Sequence, residues 1–379
     1  MCAWSSRCRK LRLLVAGGGT GGHLFPGIAV ADEVIRRGGG EVLFVGTSRG
    51  IETRAVPAAG YALETLDISG LKRMGLWGTL RGLYRVPLAL ARSMAILRRF
   101  KPGVVLGVGG YASGPLVLAA ALMGYPTAIQ EQNSVPGITN RVLGKLVRTV
   151  FIAFEDAARF FPSRKIERLG NPVRQKIVAA LERVGDAETV PDKMCILVVG
   201  GSQGARAVSD LVTAAAAILA TANLDFSLVH QTGSADRDRI QERYCALGLA
   251  ERVVVKAFIE DMAAAYAESD LVVARAGALT LAELAIAGRP AILIPLPTAA
   301  DDHQRKNAAQ FASVGAALVL DQGAVRAEDL ATAIAGLAKN SSKRAEMGVA
   351  MRKLARPQAA RAIVDRLELL ARGASSAVR

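Results

Sequence analysis

Short runs of β-branched and leucine residues alternate along this chain with stretches in which apolar residues recur every three or four positions. That alternation predicts parallel strands joined by crossover helices. The first run, Leu11 to Ala16, leads into Gly17-Gly18-Gly19-Thr20-Gly21-Gly22-His23. A helical pattern follows through Ile28, Val30, Ala31, Val34 and Ile35 and is stopped by Gly38-Gly39-Gly40. Further strands are expected at Glu41 to Val45, Val104 to Val108, Thr127 to Gln132 and Val150 to Phe154. Between Phe161 and Lys193 the sequence is charged and holds three prolines, which suits a linker and a short helix.

The alternation restarts at Met194 to Val199, followed by Gly200-Gly201-Ser202-Gln203-Gly204 and a helix of alanine, valine and leucine. Strands are expected at Phe226 to His230, Val253 to Ala257, Leu271 to Ala274 and Ala291 to Pro295, and the last forty residues read as helix with a break at Pro357. The pattern predicts an α/β protein of two Rossmann-like, doubly wound parallel-sheet domains facing a cleft, residues 1–165 and 166–379. Such sheets bind ligands at the carboxyl ends of their strands, where both glycine turns would lie.

Composition sharpens this picture. At 379 residues and 51% hydrophobic, the chain exceeds what one core usually serves, so two domains are the default. Cys2, Cys8, Cys195 and Cys245 are scattered, which suggests neither a zinc site nor a disulfide framework and fits a reducing cytoplasm. The first residues hold too short an apolar run for a secretion signal, and no uninterrupted run of about 18 apolar residues predicts a membrane span. The net charge of +15 is lopsided: residues 1–165 carry 22 Lys and Arg against 9 Asp and Glu, and the remainder carries 26 against 24. A polyanionic partner for the first half follows, either nucleic acid or an anionic membrane, unless the basic face is merely solvated.

Glycines at a strand-to-helix turn let backbone N–H groups approach an anion closely, and the helix N-terminus adds positive charge. Gly17 to Gly22, Gly107 to Gly114 and Gly200 to Gly204 all have that context, so two phosphorylated ligands are expected. Gly17, Gly19 and Gly22 also fit the GxGxxG of NADP-dependent oxidoreductases. That reading expects a carboxylate at the end of the second strand, where Val45-Gly46-Thr47-Ser48-Arg49 has none, although Arg49 could face a 2′-phosphate. His23, closing the first turn, has the chemistry of a general base for a sugar hydroxyl; His230 reads as core, and His303 as a ligand contact or a helix start. Asp236-Arg237-Asp238 resembles a metal-binding DxD but opens a polar helix, so no metal site and no cofactor are expected. In Arg275-Ala276-Gly277-Ala278-Leu279-Thr280-Leu281-Ala282-Glu283, the amides at Ala278 to Thr280 can meet a diphosphate, and Glu283 can accept bonds from a ribose or simply favour the helix N-terminus. No helix-turn-helix, RNP or zinc module supports nucleic-acid binding.

With these blocks the chain resembles the MurG family, the undecaprenyldiphospho-muramoylpentapeptide N-acetylglucosaminyltransferases. The likeness runs through GGGTGGHLFPGIAVA from Gly17, ISGLKRMG from Ile68, GVGGYASGP from Gly107, EQNSVPGITN from Glu131 and GNPVR from Gly170. It continues in VVGGSQGAR from Val198, FIEDMAAAYAESDLVVARAGALTLAEL from Phe258 and DDHQRKNA from Asp301. The resemblance implies a GT-B fold and inverting, metal-independent transfer of N-acetylglucosamine from UDP to the C4 hydroxyl of an undecaprenyl-diphosphate-linked muramoyl-pentapeptide. It implies the final helix returning to the first domain, and a peripheral place on the cytoplasmic face of the membrane. It puts Thr20, Gly21 and Gly22 near a diphosphate with His23 as base, and Gly109, Gly110 and Tyr111 on the acceptor. Asn133, Arg174, Ser202, Ile259, Ala278, Leu279, Thr280, Leu281, Ala282, Glu283 and Gln304 are implied for the nucleotide-sugar. The family's His-Glu-Gln-Asn reads Gln130-Glu131-Gln132-Asn133 here, which shifts acid/base weight to His23. For docking on an anionic bilayer the expected segment is Leu71 to Phe100, with Leu76, Trp77, Leu80, Leu83 and Tyr84 able to share a face beside Lys72, Arg73, Arg81 and Arg85.

Overall fold

The computed structural model describes residues 10–67, 76–184, 193–201 and 204–376, and the side chains of 76–86, 183–184, 300 and 374–376 lie outside what it describes. The described chain forms two compact units. The first comprises residues up to Gln132, Pro136–Gln175 and the segment from Gln358 onward; the second comprises Asn133–Val135 and Lys176–Pro357.

In the first unit the order is β1 (Arg12–Gly17), α1 (Gly21–Arg36), β2 (Glu41–Thr47), α2 (Glu52–Ala58), β3 (Ala62–Leu66), α3 (Leu76–Phe100) and β4 (Val104–Gly109). Then follow α4 (Ser113–Leu122), β5 (Thr127–Glu131), α5 (Ile138–Leu146), β6 (Thr149–Ile152) and β7 (Ile166–Arg168). The seven strands are parallel in the order β3-β2-β1-β4-β5-β6-β7. Because side chains alternate across a strand, Leu13 and Val15 of β1 enter one core while Leu14 and Ala16 enter the other. Both faces are covered, which is why the central strands read as unbroken apolar runs.

The second unit runs α6 (Gln175–Val184), β8 (Met194–Val199), α7 (Arg206–Thr221), β9 (Phe226–Gln231), α8 (Arg237–Ala246), β10 (Val253–Lys256), α9 (Met262–Ala267) and β11 (Leu271–Ala274). It continues with α10 (Ala278–Ala287), β12 (Ala291–Leu293), α11 (His303–Ser313), β13 (Ala317–Val319), α12 (Ala327–Ala338) and α13 (Ser341–Lys353). Its sheet is parallel in the order β10-β9-β8-β11-β12-β13. In both sheets the winding reverses between the first strand and its later neighbour, β1/β4 and β8/β11. At such switch points the connections diverge and leave a crevice at the carboxyl ends.

The last helix, α14 (Ala359–Ser376), belongs to the first unit and lies on α1. Its Ile363, Val364 and Leu367 are fully buried with Leu13, Val15 and Val34. Each such side chain contributes about 1.5–3 kcal/mol through burial. Arg37 pins the helix by donating to Asp365 at 2.7 Å and to the Arg361 carbonyl at 3.0 Å, and Arg366 pairs with Glu167 at 2.6 Å.

Two differences from the sequence reading stand out. The first unit extends past 165 to Gln175, because Ile166–Arg168 adds β7 as an edge strand where a linker was expected. The other strands not expected, β3 and β13, also end their sheets. All three are partly exposed, and β7 and β13 are only three residues long.

His230 sits in β9, buried in the second core, with Nδ1 3.0 Å from the Tyr244 hydroxyl and no partner for Nε2 among the described residues. Burial pushes its pKa down to about 4 from the usual 6.5. The unfolded chain therefore takes up this proton first. The stability held by the neutral ring is complete above pH 6.5 and declines as pH falls from 6.5 toward 4. The whole effect amounts to about 3 kcal/mol. Resistance to urea should fall over that window more steeply in the wild type than in His230→Leu; parallel pH dependences would show that the ring is not held neutral.

Candidate active site

At the switch point of the first sheet, the turn after β1 and the turn after β4 meet main chain to main chain. Gly18 N donates to Gly109 O at 3.3 Å. A Cβ at Gly17 would collide with the Gly109 carbonyl, and one at Gly110 with the carbonyl of Gly18, whose turns also hold positive φ. Two of the glycine turns are therefore one structure. Above them α1 begins at Gly21, with Thr20 as its extended N-cap making no capping bond, so first-turn amides face outward. Tyr111 is exposed beside Gly110.

His23 lies in the first turn of α1. Its Nδ1 is 3.0 Å from Gln132 Oε1, and Gln132 Nε2 donates to Val108 O at 3.0 Å. Burial lowers the imidazole pKa from its ordinary value, opposed by the bonds to Gln132 and to the Val108 carbonyl. The neutral form, which can accept a proton, is thus favoured. A Cβ at Gly109 would press on this ring, so the second turn also walls the histidine.

The carboxylate missing from the end of β2 in the sequence reading is supplied by Glu52, the first residue of α2. It is fully buried and accepts from Gly19 N at 2.7 Å, Thr47 N at 2.8 Å and Thr47 Oγ1 at 2.7 Å. Burial raises its pKa, and these donors outweigh it to leave a net lowering. Side chains at Gly18, Gly46 or Gly50 would each collide with this carboxylate. Both oxygens of Glu52 are engaged in holding the glycine turn and the end of β2.

In the second unit, α10 starts directly after β11, with Gly277 as an extended N-cap. Ala278, Leu281 and Glu283 are buried, and Leu279, Thr280 and Ala282 are partly so. Tyr266 Oη donates to Glu283 Oε2 at 3.0 Å, a buried bond that fixes this carboxylate one turn into the helix. Gln304 accepts from Leu296 N at 3.0 Å. Asn307, fully buried, accepts from Ser134 N at 2.9 Å and donates to Asn133 Oδ1 at 3.2 Å and Ala276 O at 3.3 Å. Ile259 is buried and borders a cavity of about 610 Å³ whose wall also includes Cys195, Leu197, Ser227, Val229 and Phe258. None of the other expected residues lines that cavity.

The expected residues thus sort by unit. Thr20, Gly21, Gly22, His23, Gly109, Gly110 and Tyr111 come together in the first unit. Ala278 to Glu283 and Gln304 gather in the second with Asn133, which the sequence reading had counted with the N-terminal domain and which bonds Asn307 instead. Arg174 belongs to the first unit, not to the donor domain expected for it, and its guanidinium lies over the Phe25 ring at 4.9 Å. Ser202 lies outside the described residues, as do Ile68 to Gly75. Gln130 is buried in β5 and donates to Gly170 O at 3.1 Å. Asp236 and Asp238 each pair with an arginine, Arg239 and Arg237. Glu52, Gln132, Tyr266 and Asn307 were missed. Each is a polar residue in an element whose pattern gives no sign of what it faces, although the carboxylate five residues beyond Thr47 was open to a wider search.

Residues 13–152 match the model of the glycosyltransferase family 28 N-terminal domain, and residues 195–363 match that of the family 28 C-terminal domain. The chain is similar to a UDP-N-acetylglucosamine–N-acetylmuramyl-(pentapeptide) pyrophosphoryl-undecaprenol N-acetylglucosamine transferase of Myxococcus xanthus, 48% identical over 94% of this chain and 92% of that one. The protein of the same name from Geobacter sp. (strain M21) is 46% identical over 93% and 95%. Among solved structures, Acinetobacter baumannii MurG superposes with a TM-score of 0.75 at 32% identity, covering 94% of this chain and 99% of that one. A UDP-GlcNAc 2-epimerase from Neisseria meningitidis shares the fold at 15% identity and TM-score 0.67, over 94% and 99%. These likenesses give no support to an NADP-dependent oxidoreductase. With both domain models matched and near-half identity along almost its whole length, this chain belongs to the MurG family of N-acetylglucosamine transferases, hexosyltransferases of the GT-B fold.

Proposed function

We propose that the chain transfers N-acetylglucosamine from UDP-N-acetylglucosamine to the C4 hydroxyl of undecaprenyl-diphospho-N-acetylmuramoyl-pentapeptide, inverting the anomeric carbon without a metal. The relatives' names carry the transferred sugar and the lipid-linked acceptor. The observation that carries the chemistry is His23, a partly buried imidazole whose neutral form is favoured and which is set against two fused glycine turns. The acceptor hydroxyl gives its proton to His23 as its oxygen bonds to the anomeric carbon. The bond from that carbon to the β-phosphate oxygen breaks, and UDP leaves with the electron pair. Glycine-turn amides at Gly109 and Gly110, with Tyr111, suit the acceptor diphosphate. The start of α10 suits the donor diphosphate, Glu283 the ribose, the Ile259 backbone the uracil, and Asn133 and Gln304 the sugar. Thr20, Gly21, Gly22, Arg174 and Ser202 are carried as further contacts by the resemblance. Preorganised amides and a guanidinium stabilise developing charge without reorganisation, so neither metal nor organic cofactor is required.

The two halves of this reading separate kinetically. His23→Ala should lower turnover roughly 100-fold while UDP-N-acetylglucosamine affinity holds, since a base acts in the transition state. Glu283→Ala should instead weaken UDP binding by about 1.5–3 kcal/mol. Turnover assays with calorimetric titration, run in EDTA to which the wild type should be indifferent, check both. Full turnover in the first variant would remove His23 from the chemistry, and unchanged UDP affinity in the second would make Glu283 structural.

The enzyme is further proposed to work from the cytoplasmic face of the membrane as a peripheral protein, with no nucleic-acid partner. No described helix is long and apolar enough to cross a bilayer. Besides the Leu71 to Phe100 segment, α5 supports a docking face: Ile138, Val142 and Leu146, one turn apart, are 65%, 55% and 49% exposed. Exposed Lys145 and Arg148 accompany them. Basic residues near an anionic surface contribute about 1 kcal/mol each, an attraction that salt screens. Lys145→Glu/Arg148→Glu and Ile138→Ser/Val142→Ser should both sediment less with anionic vesicles than wild type, and salt should release the wild type. Equal sedimentation of the folded variants would move the docking face elsewhere.

A further inference from the structure

We infer that Gln132 is the residue that orients His23 for the transfer, filling with a neutral amide the place where a carboxylate commonly holds a catalytic histidine. The inference rests on His23 being the base. Its core is a chain of two hydrogen bonds whose direction is fixed from one end. The carbonyl of Val108 can only accept, so the group of Gln132 that lies 3.0 Å from it is the amide nitrogen. That leaves Oε1 facing His23 Nδ1 at 3.0 Å, and an amide oxygen can only accept as well. A neutral imidazole has one N–H, which must therefore be on Nδ1. Nε2 keeps its lone pair for the acceptor hydroxyl. Gln132 itself is buried, so its amide cannot exchange these partners for water at little cost.

No side chain nearby rivals Gln132 for this task, and the one backbone group that acts on the ring is the Val108 carbonyl, which Gln132 also holds. From α2, Glu52 bonds Gly19 and Thr47. From β5, Glu131 takes the amide of Asn140 at 2.8 Å. The guanidinium of Arg174 lies over Phe25. Only Gln132 among the side chains of the described residues hydrogen-bonds the ring, and the influences on its proton affinity include no charged neighbour. An amide fixes the tautomer yet adds no negative charge to stabilise the imidazolium. The ring then stays a weak base that is ready in its neutral form and gives its proton up easily after transfer.

The test joins a spectroscopic readout to a kinetic one. Nitrogen-15 imidazole NMR of the full-length wild type should show His23 with its proton on Nδ1. In Gln132→Met, which keeps size but loses both bonds, that proton should shift to Nε2 or divide between the nitrogens. Its kcat should fall roughly 10- to 100-fold, the scale for loss of a partner that orients a histidine, with little change in KM for UDP-N-acetylglucosamine. Gln132→Glu should keep the Nδ1 proton and move the acidic limb of the pH–rate profile up by about one unit or more, since a carboxylate favours the charged ring. A wild-type His23 protonated on Nε2, or a Gln132→Met enzyme with unchanged tautomer and kcat, overturns the proposal. If His23→Ala keeps full activity, the base reading fails instead, and the NMR result still decides whether Gln132 sets the ring.

Discussion

Two turns can meet main chain on main chain, with no side chain between them, where the contacting residues carry no Cβ. The turns after β1 and β4 do this at Gly17, Gly18, Gly109 and Gly110, and the rest of the first unit is arranged around that contact. It sits where the winding of the sheet reverses, so no crossover helix competes for the space. It sets the start of α1, hence the outward amides, and it brings the Gly109 backbone against the His23 ring. A methyl group at Gly17 or Gly110 would drive the two turns apart, one at Gly109 would press on the histidine ring, and one at Gly18 would displace the Glu52 carboxylate.

Charge completes what sterics begin. The outward face of the glycine turn is suited to an anion, but one of its amides, that of Gly19, is already satisfied from beneath by Glu52. The carboxylate holds the turn in shape, and it takes the part of the crevice that a dinucleotide fold keeps for a ribose. In the second unit the corresponding carboxylate is Glu283, at the start of α10 after β11, and a tyrosine hydroxyl holds it. Two sheets with the same winding thus use their switch points differently: one ties its acid into the fold, the other sets it one turn into a helix that opens at the crevice.

What could be read from sequence follows from what each feature demands of a side chain. The buried central strands require continuous apolar runs, and β8 and β11 were legible to the residue. The glycine turns were legible because only glycine meets their geometry. Of the four edge strands only β10 was legible; β3, a polar-apolar alternation, and β7 and β13, three residues each, were too short or too mixed to stand out. Glu52 and Gln132 were invisible for another reason: each acts on a turn distant in the chain, and a glutamate opening a helix or a glutamine ending a strand looks the same whether it faces solvent or a backbone amide. Arg174 and Asn133 were placed in the wrong halves because the chain crosses between units near both, while position along the sequence was the only guide to membership.

The place of α14 in the first unit sets a timetable for synthesis. A ribosome completes the strands of the first sheet by Arg168, but roughly 180 residues of the second unit must be made before the helix that covers one face emerges. At about 5–20 residues per second, that delay is roughly 10–40 seconds. During it Leu13, Val15 and Val34 lack their final covering of Ile363, Val364 and Leu367. The nascent first half therefore waits with this part of its core only partly covered, by α1 alone, while it is still tethered to the ribosome. A stop codon just before Gln358 would leave it so for the life of the protein.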